Sequence, residues 1–159
     1  MSFAIVDASG IQEQLERLRR SYVEATLRQR LSIARQRLEN PHHDANRLIA
    51  HVSAVEGFAR SLCMHRYART KPDLSLMYSC YRRKGAEELI AEYLEAGNLG
   101  SPSKVFGRST WKMFGFAVQY RNLLAHECTY LGHDFSPRLI DACDKVLDRL
   151  AVESGVEPK

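Results

Sequence analysis

Arg121 stands where an apolar side chain is expected. Along Trp111, Phe114 and Val118, spaced three and four, the next position on that helical face is Arg121 and the one after it is Ala125. Five residues beyond Arg121 comes His126, giving Arg121-Asn122-Leu123-Leu124-Ala125-His126. The chemistry of the two ends is complementary. A histidine exchanges a proton near neutral pH, whereas an arginine stays charged and presents a planar fork of donors. On an unbroken helix the two lie ~140° apart and ~7.5 Å along the axis. They converge if the helix ends or kinks near Ala125, if the arginine reaches forward, or if a second subunit brings another copy of the pair into the same cleft. Gly132 and a cap at Ser136 are compatible with an ending soon after His126. The ordinary alternative is an arginine that snorkels at the helix end or pairs with an acidic neighbour.

The run Arg121-Asn122-x-x-x-His126, late in an all-α chain and followed by one more amphipathic segment, resembles the R-x4-6-H signature of the HEPN superfamily (higher eukaryotes and prokaryotes nucleotide-binding). Asn122 matches the polar residue that follows the arginine in that pattern. In helix order the resemblance runs from about Ser9 to Gly155, but its specific part is these six residues. It implies a helical bundle that dimerises with the two motifs facing each other, and a metal-independent endoribonuclease without a cofactor, in many members a toxin or defence protein. In that scheme His126 acts as general base or acid, Arg121 holds the scissile phosphate, and Asn122 orients a phosphate oxygen or His126. Attack by RNA's own 2′-hydroxyl would leave a 2′,3′-cyclic phosphate and a 5′-hydroxyl. Other members are catalytically silent modules that bind a nucleotide or a protein partner. The resemblance also implies an antitoxin or nucleotidyltransferase partner. In the branch that such an enzyme modifies, the pattern continues as H-x-Y; here Cys128 takes the tyrosine's place and the next tyrosine is Tyr130.

Other constellations are weaker. Cys63-x-His65 and His126-x-Cys128 have zinc-ligand chemistry, with His42, His43 and His133 as substitutes, yet residues two apart on a helix point to nearly opposite sides. No metal site is expected. His42 and His43 read as solvated residues at a helix start, and His133 as a loop histidine. Arg28 with Arg35, and Arg30 with Arg37, are seven apart and share faces that could track an RNA backbone, although Glu13, Glu16, Glu24 and Glu39 dilute the patch. Tyr120 and Trp111 could stack on bases, but on so apolar a helix they read as core.

The elements that must position these residues follow from periodicity. Apolar residues recur at helical spacing, and no strand-like alternation of useful length occurs. One helix is expected from Ser9, with Gln12 as its capping partner, to about Asn40, bent or meeting a second chain because its two stripes are offset. A second is expected from Pro41 after an Asn40 cap, burying Leu48, Val52, Val55, Ala59 and Leu62, with small residues Ala50, Ala54, Gly57 and Ser61 inviting close approach of another helix. Thr70 to Ser79 reads as loop, and a third helix from about Tyr81 to Ala96 ends at Gly97 as a left-handed cap. After a loop from Gly100 to Gly107, a fourth helix starts near Ser109. A fifth opens at Ser136-Pro137 with Leu139, Cys143, Val146 and Leu150 inward, and stops at Gly155.

The expectation is therefore a single all-α domain over 1–159 (core 9–155), an antiparallel bundle of four to five helices, homodimeric in keeping with its offset stripes. With 159 residues, 45% hydrophobic and 26% charged, the chain has an ordinary globular composition. Its four cysteines include no C-x-x-C pair and are expected to be reduced. No apolar run approaches a membrane span and no leader pattern opens the chain, so the expected setting is cytoplasmic with no membrane partner. A net charge of +4, with 17 arginines against 6 lysines, favours an anionic partner such as RNA.

Overall fold

The computed structural model describes residues 8–24, 26–39, 44–127 and 135–159. Among them every regular element is a helix: α1 (Ala8–Glu24), α2 (Leu27–Glu39), α3 (Asp44–Tyr67), α4 (Lys71–Tyr81), α5 (Ala86–Ala96), α6 (Pro102–Phe106), α7 (Arg108–His126) and α8 (Ser136–Glu153). The all-helical expectation holds, with eight helices where five periodic segments were read.

The three additional helices have local causes. The single N-terminal helix is split at Thr26, whose N–H donates to Gln29 Oε1 (2.8 Å) while its hydroxyl accepts from Gln29 N–H (3.2 Å), a reciprocal capping box that starts α2. The loop expected at Thr70–Ser79 is α4. Thr70 N–H donates to the Asp73 carboxylate (3.2 Å), and Pro72 occupies the first turn, where a missing N–H does no harm. Pro102 opens α6 in the same way inside the second expected loop. The third expected helix begins at Ala86 instead of Tyr81, because Tyr81 closes α4 and Gly85 caps α5. At its end Gly97 is right-handed (φ −87°), and the left-handed position falls to Asn98 (φ 52°), whose short polar side chain tolerates it. The proposed Asn40 cap and Pro41 start, His42 and His43 lie outside the described residues, as do Cys128, Tyr130, Gly132 and His133.

The core joins α3, α5, α7 and α8, with Ile11 and Leu15 of α1 closing it from one side. Leu48, Val52, Val55 and Ala59 are fully buried as expected, while Leu62 is only partly so. On α8, Leu139, Cys143, Val146 and Leu150 all face inward. The packing is not uniformly antiparallel. Cys63 Sγ donates to Leu89 O (3.4 Å) and Arg66 Nη1 to Tyr93 O (3.0 Å), so α3 and α5 ascend together while α4 carries the chain back between them. Where α6 meets α7, Gly107 adopts φ 87°, a conformation open to glycine, and Trp111 stacks on Phe106 with ring centres 5.5 Å apart. No helix among the described residues is long and apolar enough to cross a membrane.

Candidate functional site

Helix α7 is buried around most of its circumference, with Met113, Phe114, Phe116, Ala117, Val118, Tyr120, Leu123 and Leu124 all inward. Arg121 lies on the edge of that face, and α3 supplies its counter-charge. Its Nη2 donates to Glu56 Oε2 at 2.5 Å, and the other carboxylate oxygen of Glu56 accepts from Arg60 Nη2 at 2.8 Å. All three side chains are nearly buried, each 17–18% exposed. Arg60 also donates to the carbonyl oxygens of Tyr81 (3.3 Å) and Lys84 (3.1 Å), which pins the turn after α4 onto the cluster. Arg121 has no such second anchor among the described residues, where its buried Nε finds no hydrogen-bond partner.

Burial alone would raise the Glu56 pKa, but hydrogen bonds from Arg60 and Arg121 outweigh it and hold the carboxyl below its ordinary value. The cluster is two cations sharing one anion, with a residual positive charge set into the seam between α3 and α7. The pairing of Arg121 with an acidic neighbour is thus the ordinary alternative raised by its sequence position, realised through a residue 65 positions away.

The other two motif residues lie elsewhere on the helix. α7 runs regularly to His126, so Arg121 and His126 keep the ~140° separation of an unbroken helix. Asn122 and His126, four apart, occupy the same exposed face, one turn from each other. The helix does end directly after His126, where Glu127 N–H donates to Leu123 O (2.9 Å), and the buried Glu127 Oε2 has no partner among the described residues. The motif is therefore divided: a partly buried, paired arginine on one side, and an exposed Asn122–His126 pair on the other.

Beside Glu56 on α3 the stripe Ala50, Ala54, Gly57 and Ser61 is exposed along its whole length, so no helix among the described residues fills the close approach that its small residues allow. Arg28 and Arg35 are exposed on α2, while the side chains of Arg30 and Arg37 lie outside the described residues. Tyr120 is core as its surroundings suggested, fully buried and donating to Gln14 Oε1 (3.0 Å), whereas Trp111 is partly buried and packs against the core between Phe106 and Phe114. Cys63 is buried, its thiol pushed up to about 11 first by desolvation, while His65 is exposed. Among the described residues no group of three metal-ligating side chains assembles.

Sequence reasoning missed Glu56 and Arg60. The signal that flagged Arg121 was absent for both, since each lies one step off the buried α3 positions Val52, Val55 and Ala59 and interrupts no apolar row. It also missed a second polar pairing, His51 Nδ1 with Asp144 Oδ1 (2.6 Å), beside a pocket of about 260 Å³ lined by Arg47, Ser136, Pro137, Ile140, Asp141 and Asp144. Comparisons of the chain with protein-family models, with curated proteins and with solved structures find no match.

Proposed function

We propose that the chain is a HEPN-like, metal-independent endoribonuclease, of toxin or defence type, that cleaves RNA through 2′-hydroxyl attack at a site completed by a second copy of itself. The observation that carries this reading is the divided motif. One α7 offers His126 and Asn122 to solvent and holds Arg121 behind them at the seam, so a phosphate touching both kinds of group needs a His126 from one copy and an Arg121 from another. The exposed small-residue stripe next to Glu56 supports close approach of that copy. In this scheme His126 moves the proton, Arg121 neutralises charge growing on the phosphate, and Asn122 orients the reacting groups. An antitoxin, with or without nucleotidyltransferase activity, would act by covering or modifying this face, in the cytoplasmic setting the sequence suggests.

One observation favours a second reading, a catalytically silent module that binds a nucleotide or a protein partner. Glu56 already occupies Arg121, and an incoming phosphate must share the guanidinium with that carboxylate. The deciding experiment incubates purified protein with RNA in EDTA. The ribonuclease reading requires cleavage that leaves cyclic phosphate ends, falls by roughly 10²–10⁴ in His126→Ala, and falls in Arg121→Lys, where the charge remains and the fork is lost. A monomer by light scattering at working concentration, or cleavage that persists in His126→Ala, sinks the composite site and leaves the binding module.

A further inference from the structure

The basic charge of this chain is unevenly placed. Between His65 and Lys84 six residues are basic (Arg66, Arg69, Lys71, Arg82, Arg83, Lys84) and one is acidic (Asp73), whereas the whole chain has 23 bases against 19 acids. Outside these twenty residues, acids outnumber bases by one. In three dimensions the segment is the end of α3, the α3–α4 turn, α4 and the turn that follows, and α4 rests chiefly on α3.

Two of the six cations are committed internally. Lys84 pairs with Glu92, and Arg66 lies over the Tyr93 ring (4.5 Å) while donating to Tyr93 O. The other four, Arg69, Lys71, Arg82 and Arg83, are exposed and make no ion pair among the described residues. They stand at the two ends of α4, whose eleven residues span roughly 16 Å. Two tyrosines, each 52% exposed, accompany them: Tyr67 beside the first pair, and Tyr78, one turn before Arg82 on the same face.

We infer that this face of α4 and its flanking turns binds single-stranded RNA, Arg69, Lys71, Arg82 and Arg83 contacting phosphates and Tyr67 and Tyr78 stacking on bases. Exposed aromatics among unpaired arginines suit unstacked bases, whose faces a duplex hides and a lipid surface lacks. The inference extends the ribonuclease reading, because the Arg82–Arg83 turn is the one that Arg60 fastens, through the Tyr81 and Lys84 carbonyls, to the Glu56–Arg121 cluster. A strand lying along α4 is thereby led to the α3–α7 seam. The surface is distinct from the arginine stripe of α2.

The test is fluorescence anisotropy with the full chain and a labelled 2′-O-methyl RNA of about twelve nucleotides, which cannot undergo 2′-hydroxyl attack and so reports binding whether or not the protein cleaves. The variant Arg69→Gln/Lys71→Gln/Arg82→Gln/Arg83→Gln alters only exposed side chains, and circular dichroism checks its fold. It is expected to bind at least tenfold more weakly, with the slope of log affinity against log salt reduced by about 2–3. Tyr78→Ala is expected to lose about fivefold or more, and Tyr78→Phe to restore binding. An unchanged affinity and salt slope in the quadruple variant overturns the inference. So does a parent protein that ignores the oligonucleotide, or one that binds only vesicles of equal parts phosphatidylserine and phosphatidylcholine. Binding that depends on these residues in a protein that never cleaves RNA sustains the surface and removes the ribonuclease reading alone.

Discussion

Removing the Glu56 carboxylate separates the two arginines that share it, and the consequences are unequal. In Glu56→Ala, Arg60 keeps two backbone carbonyl acceptors, but Arg121 loses the partner of Nη2 while its Nε already has none among the described residues. An uncompensated buried charge typically costs about 3–5 kcal/mol. The 18% exposure of Arg121 lets its guanidinium regain some water, which lowers the expected loss to about 2–3 kcal/mol, or roughly 4–12 °C in Tm for a domain of this size. Urea unfolding followed by the fluorescence of Trp111, the single tryptophan, measures it. A double-mutant cycle with Arg121→Ala isolates the pair and should return a coupling of about 1.5–3 kcal/mol, since the loss of the Arg60–Glu56 contact is common to the single and double variants and cancels, and the double variant no longer carries the Arg121 charge. The coupling carries a sign in pH. Glu56 is held below its unfolded value, so its contribution is complete above the ordinary carboxylate pKa of 4.5 and disappears as pH falls through the lower folded value. A coupling under about 0.5 kcal/mol near neutral pH refutes the argument that this carboxylate positions Arg121.

Three further outcomes are expected. Tyr120→Phe removes the hydrogen bond to Gln14 and should cost about 1 kcal/mol, with hydrogen exchange in α1 accelerating ahead of that in α3; equal acceleration in both helices would show that the bond does not act locally. Gly57→Ala should stabilise the chain by about 0.5–1 kcal/mol, because a Cβ there meets no heavy atom within 4 Å and the residue lies mid-helix; a lower urea midpoint would contradict the open space around it. Burial pushes the Cys63 thiol up to about 11 and the Cys143 thiol up to about 12, above their ordinary 9.0, so the folded chain keeps protons that the unfolded chain releases. Stability from these two groups is therefore intact below about pH 9 and lost as pH rises through the folded values, and urea midpoints at about pH 8 and about pH 10.5 should differ accordingly.

How much of this could be read in advance depends on the length of the pattern. The buried faces of α7 and α8 are long, and their apolar periodicity is sufficient on its own: Leu139, Cys143, Val146 and Leu150 fall where spacing puts them. α4 has eleven residues and rests chiefly on one neighbour, so Leu74, Met77 and Tyr81 are too short a stripe to stand out, and the Thr70–Asp73 cap was the only strong local signal. At Thr26 the unrecognised turn chemistry was likewise a cap, Thr26 with Gln29. The anomaly of Arg121 was visible in one dimension because a charge interrupts an apolar row. Its partner was not, since nothing local links positions 56 and 121; tertiary packing alone makes them neighbours.

The position of α1 bears on the order in which the chain comes together. Contacts tying α3 to α4 and α5 span 21–27 residues, whereas the hydrogen bond that seats α1 on α7 spans 106. By the logarithmic dependence of loop entropy on length, closing the longer loop costs about 1.3 kcal/mol more. The helical hairpin around α4 can thus form early from local encounters, while α1 docks after α7 is in place. An N-terminal helix that seats late through Ile11, Leu15 and Gln14 can seat equally well on the α7 of a neighbouring chain, making exchange of this segment the natural failure of the fold at high concentration.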